Sequence, residues 1–480
     1  MTLTVTQPHK IYLAGQWVDS PDLLPIDNPA DPATPVGATY NATPEQVERA
    51  VEATVAAFEQ TRHLPVYERA RALREISAGI KGRREELGRL LSLEAGKPIR
   101  DALLEVDRAA FTFRLAADEC ERMVGEVIPL DLLASSKGRI GITRRFPAGP
   151  VLGISPFNFP LNLAAHKIAP AIAAGCSILL KPASKDPLTM LTVTEIIDSV
   201  GLPAGAVNVL PMTRELGDRL VSDDRFKVLT FTGSPTVGWR MKERAGRKKV
   251  VLELGGNAAV ILDQTTDVDW AVKRILVGGF GYAGQSCISV QRIFVHESIA
   301  ATVRDKLVAG VATLKVGDPL DPATDVGPMV EPGAAERTAR WVKEAVELGG
   351  RVLVGGHAKG TFFEPTILEH VPPQANVCTN EVFAPLVVLF TFSNFEDAIR
   401  QVNDSAFGLQ TGVFTNDLAH AWQAFNELEV GGVVVNDISS YRIDHMPYGG
   451  VKDSGLSREG LRWSIEDMTE LRLMVFAEPQ

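Results

Sequence analysis

From Gly149 onward the chain repeats one unit: a short apolar run, a turn, then a stretch with helical periodicity. The first four runs are VLGIS at 151–155, SILLKP at 177–182, AVNVLP at 206–211 and KVLTFTGS at 227–234. They are apolar along their length rather than alternating, as strands covered on both faces are. The rhythm therefore predicts a parallel sheet with helices on each side. A further alternation starts near Lys249 with VVLELGG and AAVIL and recurs through RIFVH, PTIL, PLVVLFTF and GVVVN. It reads as a second α/β unit, with the boundary near Leu254. Three amphipathic helical stretches precede both units: the cap-like Thr43-Pro44-Glu45 to Gln60, Val66 to Leu91, and Arg100 to Arg122. GRIGITRRFPAGPVLGISP then alternates as a strand or hairpin would.

At 480 residues the chain has room for about three domains. Its 59 acidic against 49 basic side chains leave a net charge of −10. That gives no general attraction to phosphate backbones or anionic membranes, so neither nucleic acid nor membrane is an expected partner. MTLTVTQPHKIYLAGQW lacks the basic-then-apolar order of a signal peptide. The most apolar stretch, Leu161 to Leu180, is broken by His166, Lys167 and Pro170, leaving too short a run to span a bilayer. Cys120, Cys176, Cys287 and Cys378 form neither a disulfide framework nor a zinc pattern. A reduced, cytoplasmic home without a bound metal is the expectation.

Several segments carry chemistry. GxGxxG is absent after the early strands, but Thr232-Gly233-Ser234 follows the strand KVLTF and opens a helix. Free N–H groups there suit a phosphate, and equally make an ordinary capped turn. Lys181, at the end of a buried strand, lies where open α/β sheets bind ligands, or is simply solvated. Cys287, in Gly284-Gln285-Ser286-Cys287-Ile288 with small neighbours, is either an approachable thiol or a small buried hydrophobe. Cys120 and Cys176 fit the second description; Cys378 has no chemical neighbour. Glu253 sits in an apolar strand ahead of two glycines, where burial would raise its pKa toward that of a general base unless a cation pairs it. Asn158, in Pro156-Phe157-Asn158-Phe159-Pro160, is a turn former or a donor for a developing oxyanion.

Taken in order, PFNFP, KPAS, FTGS, LELGG, GQSC, NEVF and PYGGVKDSG resemble the aldehyde dehydrogenase superfamily over nearly the whole chain. The separation of Glu253 from Cys287, 34 residues, fits as well. The resemblance implies Cys287 as nucleophile, Asn158 with the Cys287 N–H as oxyanion holder, and Glu253 as activator of the water that hydrolyses a thioester. It also implies a nicotinamide coenzyme, NAD or NADP, held by Ile154, Ser155, Pro156, Phe157, Lys181, Ala183, Ser184, Gly217, Thr232, Gly233, Ser234, Val237, Leu254, Gly255, Glu381 and Phe383. Of these, Lys181 takes the adenosine ribose, Gly233 and Ser234 the pyrophosphate, Glu381 the nicotinamide ribose and Phe383 the ring. A carboxylate at 253 favours water over coenzyme A as acyl acceptor. The implied fold is two Rossmann-like parallel α/β domains with a small β arm for oligomerisation. Residues 1–124 with 143–254 would bind coenzyme, 255–455 would be catalytic, and 125–142 with 456–480 would form the arm of a homodimer or homotetramer.

Three positions depart from the family pattern. Phe157 replaces a Trp, and Ala384 replaces a Gly beside the ribose clamp. Ser184-Lys185 stands where many NAD-linked members carry a Glu that repels a 2′-phosphate, so NADP should be accepted. The loop Asn436–His445 resembles the branch of lactaldehyde, non-phosphorylating glyceraldehyde-3-phosphate and phosphonoacetaldehyde dehydrogenases. Substrate contacts would come from Phe159, Ser286, Ile288 and Arg442, the last a fork donor for an anion or else a structural partner of Asp444 or Asp437. Arg114 is a second candidate. Ser286, rather than an Arg, precedes the nucleophile, which argues against a phosphate-specific pocket. The resulting expectation is oxidation of a short polar aldehyde such as lactaldehyde. An anionic aldehyde is the alternative, and non-redox acyl transfer or hydrolysis the rival of another class.

Overall fold

The structure, a computed structural model, describes residues 7–330 and 332–477. Five parallel strands form the heart of the first sheet, lying side by side as 207–209, 178–181, 151–154, 228–232 and 249–253. Numbered along the chain this is order 3-2-1-4-5, so the winding direction reverses between Val151–Ile154 and Val228–Thr232. In such sheets the crevice beyond that reversal is where ligands sit. Antiparallel strands close both edges: Ile11–Leu13 with Gln16–Val18 on one side, Gly455–Leu456 on the other.

The second sheet has seven strands in the order 351–354, 366–369, 386–392, 292–296, 259–262, 410–414 and 432–435, all parallel except the first. Both sheets are apolar along their central strands because helices cover both faces, as the unbroken apolar runs predict. Against the first sheet, Asn162–Ala174 is buried at every position and is in turn covered by Val66–Gly82 and Ile99–Arg122. No helix among the described residues is long and apolar enough to cross a membrane.

Two sequence expectations change in detail. The helix expected over 66–91 is two, Val66–Gly82 and Arg84–Ala95. They break at Arg83, which leaves helical geometry with its guanidinium held by Glu86 and Glu195. VVLELGG supplies the strand Lys249–Glu253 of the first sheet, ahead of Leu254, and Ala259–Leu262 opens the second. Of the segment 456–480 assigned to the arm, Leu461–Asp467 is a helix packed on Asn162–Ala174, with Leu461, Ile465 and Met468 in that core. Its apolar face needs a partner that a three-stranded sheet cannot supply. Thr469–Ala477 does stand apart, paired over nine residues with Arg139–Pro147, which also pairs with Val127–Pro129.

Candidate active site

The loops after the two switch-point strands shape a continuous trench. Its outer part, a cavity of about 510 Å3, is lined by Ile154, Ser155, Lys181, Ala183, Ser184, Gly217 and Val237. Pro156, Phe157, Thr232, Gly233 and Ser234 belong both to it and to an inner cavity of about 250 Å3. The inner cavity adds Asn158, Glu253, Leu254, Gly255, Cys287, Glu381 and Phe383. On the far side of Cys287 lies a third space of about 210 Å3, which Phe159, Ser286, Ile288 and Arg442 line. Except for Arg114, the residues singled out in the sequence for coenzyme, substrate or catalysis border one trench, with Cys287 at the junction of its inner and far compartments.

The trench fits a dinucleotide. Ser234 precedes the helix Pro235–Arg244 and its side chain makes no capping bond, so the first N–H groups of that helix are left for an anion. Lys181 ends its strand 3.4 Å from the Ser184 hydroxyl. Burial and the nearby Arg214 push its ammonium down to about 8. Phe157 and Phe383 meet edge to face, 5.8 Å between centroids, on the wall of the inner cavity. Glu381 accepts from the Gly256 N–H at 3.0 Å, and burial raises its carboxyl to about 7.

Cys287 lies on a tightly wound loop in which Tyr282 and Ala283 take left-handed φ values of 49° and 53°. Its thiol donates to Glu253 Oε1 at 3.2 Å, and its sulfur is 3.0 Å from the Tyr448 hydroxyl. The paired glycines explain how Glu253 gets so near. A side chain on Gly256 would meet the Cys287 carbonyl at 2.3 Å, and one on Gly255 would meet the Glu381 carboxylate at 2.5 Å. Burial and the charge of Glu459 raise the Glu253 carboxyl to about 7. Burial and the Glu253 charge push the Cys287 thiol well above its ordinary value.

Asn158 is held from behind. Its side-chain amide donates to the Gln285 carbonyl at 3.2 Å, and its own carbonyl accepts from Lys97 Nζ at 2.9 Å. Lys97 pairs with Glu105, both side chains fully buried. Glu105 in turn accepts from the backbone N–H groups of Leu161 and Asn162 at 3.0 and 3.1 Å. Asn158, the oxyanion candidate, therefore hangs from a buried ion pair between Lys97, in the link ahead of Ile99–Arg122, and Glu105 on that helix.

Neither partner expected for Arg442 is the real one. Arg442 donates to Glu459 at 3.0 Å and lies 3.7 Å above the Tyr448 ring. Asp444 is occupied by Arg108 at 2.7 Å, His166 at 2.9 Å and Asn162 at 3.0 Å, and Asp437 by Arg274 at 2.6 Å. Arg114 lies on the outer face with Asp118, away from the cavity. Sequence reasoning missed Lys97, Arg108 and Tyr448 in the far compartment, and Arg214 and Arg240 in the outer one. A signal for Arg108 exists: Asp101, Glu105, Arg108 and Thr112 recur at helical spacing, a polar stripe facing inward. Among the described residues no group of His, Cys, Asp and Glu is placed to hold a metal.

Known proteins resemble this chain along nearly its whole length. The model of the aldehyde dehydrogenase family matches residues 17–474. The 3-sulfolactaldehyde dehydrogenase of Priestia megaterium is 42% identical over 477 residues, 99% of each chain. Aldehyde dehydrogenase 21 from Physcomitrella patens, solved with its reaction product succinate, superposes with a TM-score of 0.96 at 46% identity, covering 98% of this chain and 99% of that one. A glyceraldehyde-3-phosphate dehydrogenase from Methanocaldococcus jannaschii, solved with NADP, gives a TM-score of 0.90 at 39% identity, covering 95% and 99%. With a thiol, a carboxylate and a dinucleotide-shaped trench brought together, the chain belongs to the aldehyde dehydrogenase family and is an NAD(P)-dependent aldehyde dehydrogenase.

Proposed function

We propose that this enzyme oxidises a short aldehyde with an anionic far end, a carboxylate or sulfonate, to the corresponding acid. Cys287 attacks the carbonyl carbon: the sulfur–carbon bond forms and the carbonyl pair moves onto oxygen, where the Asn158 amide and the Cys287 N–H hold it. The bound coenzyme supplies an acceptor for the hydride that leaves this carbon. Glu253 then takes a proton from water, whose oxygen attacks the thioester and releases Cys287 and the acid. Lys181, Ser184, Gly233, Ser234, Glu381 and Phe383 hold the coenzyme. The first sheet with its helices is the coenzyme-binding part, and the second carries the nucleophile. One observation carries this reading: Cys287 stands between two compartments with Glu253 3.2 Å from its sulfur.

The far compartment supports this substrate class. At about 210 Å3 it is the smallest of the three spaces, which suits a short substrate. Arg108 and Arg442 line it, bound to Asp444 and Glu459, with Lys97, Asp101 and Glu105 on the same wall, and the two guanidiniums are the groups there suited to an anion. The sulfolactaldehyde named for one relative and the succinate bound to another have that chemistry. Ser286 and Ser440 on the same wall favour a second reading, an uncharged hydroxyaldehyde such as lactaldehyde. A panel of anionic, hydroxylated and plain aldehydes with NAD and NADP, followed at the absorbance of reduced nicotinamide, tests both. At least a tenfold higher kcat/KM for the anionic group supports the first, and parity with lactaldehyde overturns it. The same assay should show NADP accepted, since Ser184 with Lys185, Arg214 and Arg240 borders the outer cavity.

Assembly and setting are read in the same spirit. Thr469–Ala477 is exposed along all but its first residue, and Gly432–Val435 is an edge strand beside the exposed Leu418, Trp422 and Phe425. Two open edges on one chain fit a second copy, so a homodimer or homotetramer is the expected state, checked by light scattering. Its four unpaired cysteines suit a reducing cytoplasm.

A further inference from the structure

Tyr448 has no part in the reaction outlined above, yet its hydroxyl is 3.0 Å from the Cys287 sulfur and the residue is 2% exposed. A thiol has one proton, and here it points to Glu253 Oε1, an acceptor. The second contact must therefore run the other way, from the phenol O–H to a sulfur lone pair. The phenol is also clamped. Tyr448 and Glu459 exchange backbone hydrogen bonds of 3.0 and 2.6 Å. Arg442, bound to the Glu459 side chain, lies 3.7 Å over the ring, where a cation draws electron density from the oxygen and strengthens its donor character.

We infer that Tyr448 is a further catalytic residue, whose hydroxyl donates to the Cys287 sulfur while the thiolate forms and aims it at the carbonyl carbon. The S–H bond breaks, its proton goes to Glu253 Oε1, which passes it to solvent before deacylation, and the electron pair stays on sulfur. As that pair enters the sulfur–carbon bond the hydrogen bond weakens, so stabilisation is greatest where the charge is. Of the groups facing the sulfur, Glu253 and Glu381 oppose its ionisation, as burial does, and Tyr448 favours it. Arg442, facing the phenol, acts in the same direction as Tyr448, and Lys167 and Glu459 stand behind. Most of the sulfur's neighbours thus work against a nucleophile, which leaves a preorganised donor with work to do.

This rests on Cys287 being the nucleophile, and one experiment separates the two claims. Alkylation of Cys287 in the full-length protein by iodoacetamide, read from its own peptide by mass spectrometry across pH, is compared in wild type and Tyr448→Phe. Loss of a donor to a charged group should raise the midpoint by about one pH unit or more. The thiolate that remains is then about threefold more reactive, so the plateau rises while the rate near pH 7 falls about threefold. Mere loosening of the loop would not move midpoint and plateau upward together. Should the Phe variant not fold, 3-fluorotyrosine at 448, a stronger donor of nearly the same shape, should lower the midpoint. An unchanged midpoint in either variant overturns the role of Tyr448. Retention of aldehyde oxidation by Cys287→Ala would instead overturn the reading beneath it.

Discussion

The Glu253 carboxylate and the Cys287 thiol meet at 3.2 Å across 34 residues of chain and across the division between the two sheets. Burial and the Glu459 charge hold Glu253 near 7. A general base works only when deprotonated, so the steady-state rate should climb as pH rises through about 7 and fall away below it. Glu253→Gln should keep one burst of reduced coenzyme per site, formed more slowly, while steady turnover falls by about 10² to 10⁴. A pH profile flat across this range, or a variant with undiminished steady turnover, would remove Glu253 from deacylation.

Ser184 lies 3.4 Å from the Lys181 ammonium on the rim of the outer cavity. Introducing a carboxylate there sets like charges against a 2′-phosphate. Ser184→Glu should lower kcat/KM for NADP by at least about tenfold, 1.4 kcal/mol, with NAD little affected. Equal losses with both coenzymes would place the 2′-phosphate elsewhere.

Arg108 holds Asp444 with Nε and one terminal nitrogen and borders the far compartment. Arg108→Met should raise KM for an anionic aldehyde by about 10- to 100-fold, the range of a hydrogen bond to a charged group. Propionaldehyde, with nothing for the guanidinium to bind, should change less than about threefold. Parallel losses on both substrates would mean that Arg108 serves the fold through Asp444 and not the substrate.

Lys97 and Glu105 neutralise each other where neither touches solvent. Removing one partner strands a buried charge, so Lys97→Met should destabilise the protein by about 3–5 kcal/mol and lower its melting temperature. It should also lower kcat, because the Asn158 carbonyl loses its anchor. Lys97→Met with Glu105→Gln should regain most of the stability and not the rate. A double variant no more stable than the single one would show that the pair does not act as a unit.

Much of this was open to inspection in the linear chain. Runs such as VLGIS and SILLKP marked buried parallel strands because a strand covered on both faces must be apolar throughout. The serine before Pro235 announced a helix start, whereas the close backbone approach at the glycines after Glu253 emerged only in the fold. Lys97, in the link between two helices, and Arg108, on an amphipathic helix, stayed hidden because charged residues in such places ordinarily face water. Both are drawn inward by partners, Glu105 eight residues away and Asp444 336 residues away. The split at Arg83 was hidden for a similar reason: Glu195, which helps hold its guanidinium, is 112 residues distant.

Local pattern pointed to two α/β units and marked the thiol, the carboxylate and the amide as candidates, since burial, periodicity and turn chemistry are written residue by residue; their roles came from the resemblance of the ordered motifs to a family. Which side chains face one another was decided only by folding. Arg442 chose Glu459 over Asp444 and Asp437, and Tyr448 came to lie on the nucleophile's sulfur, because such pairings depend on how separate elements pack and which charges they enclose together. That information resides in no single segment of the chain.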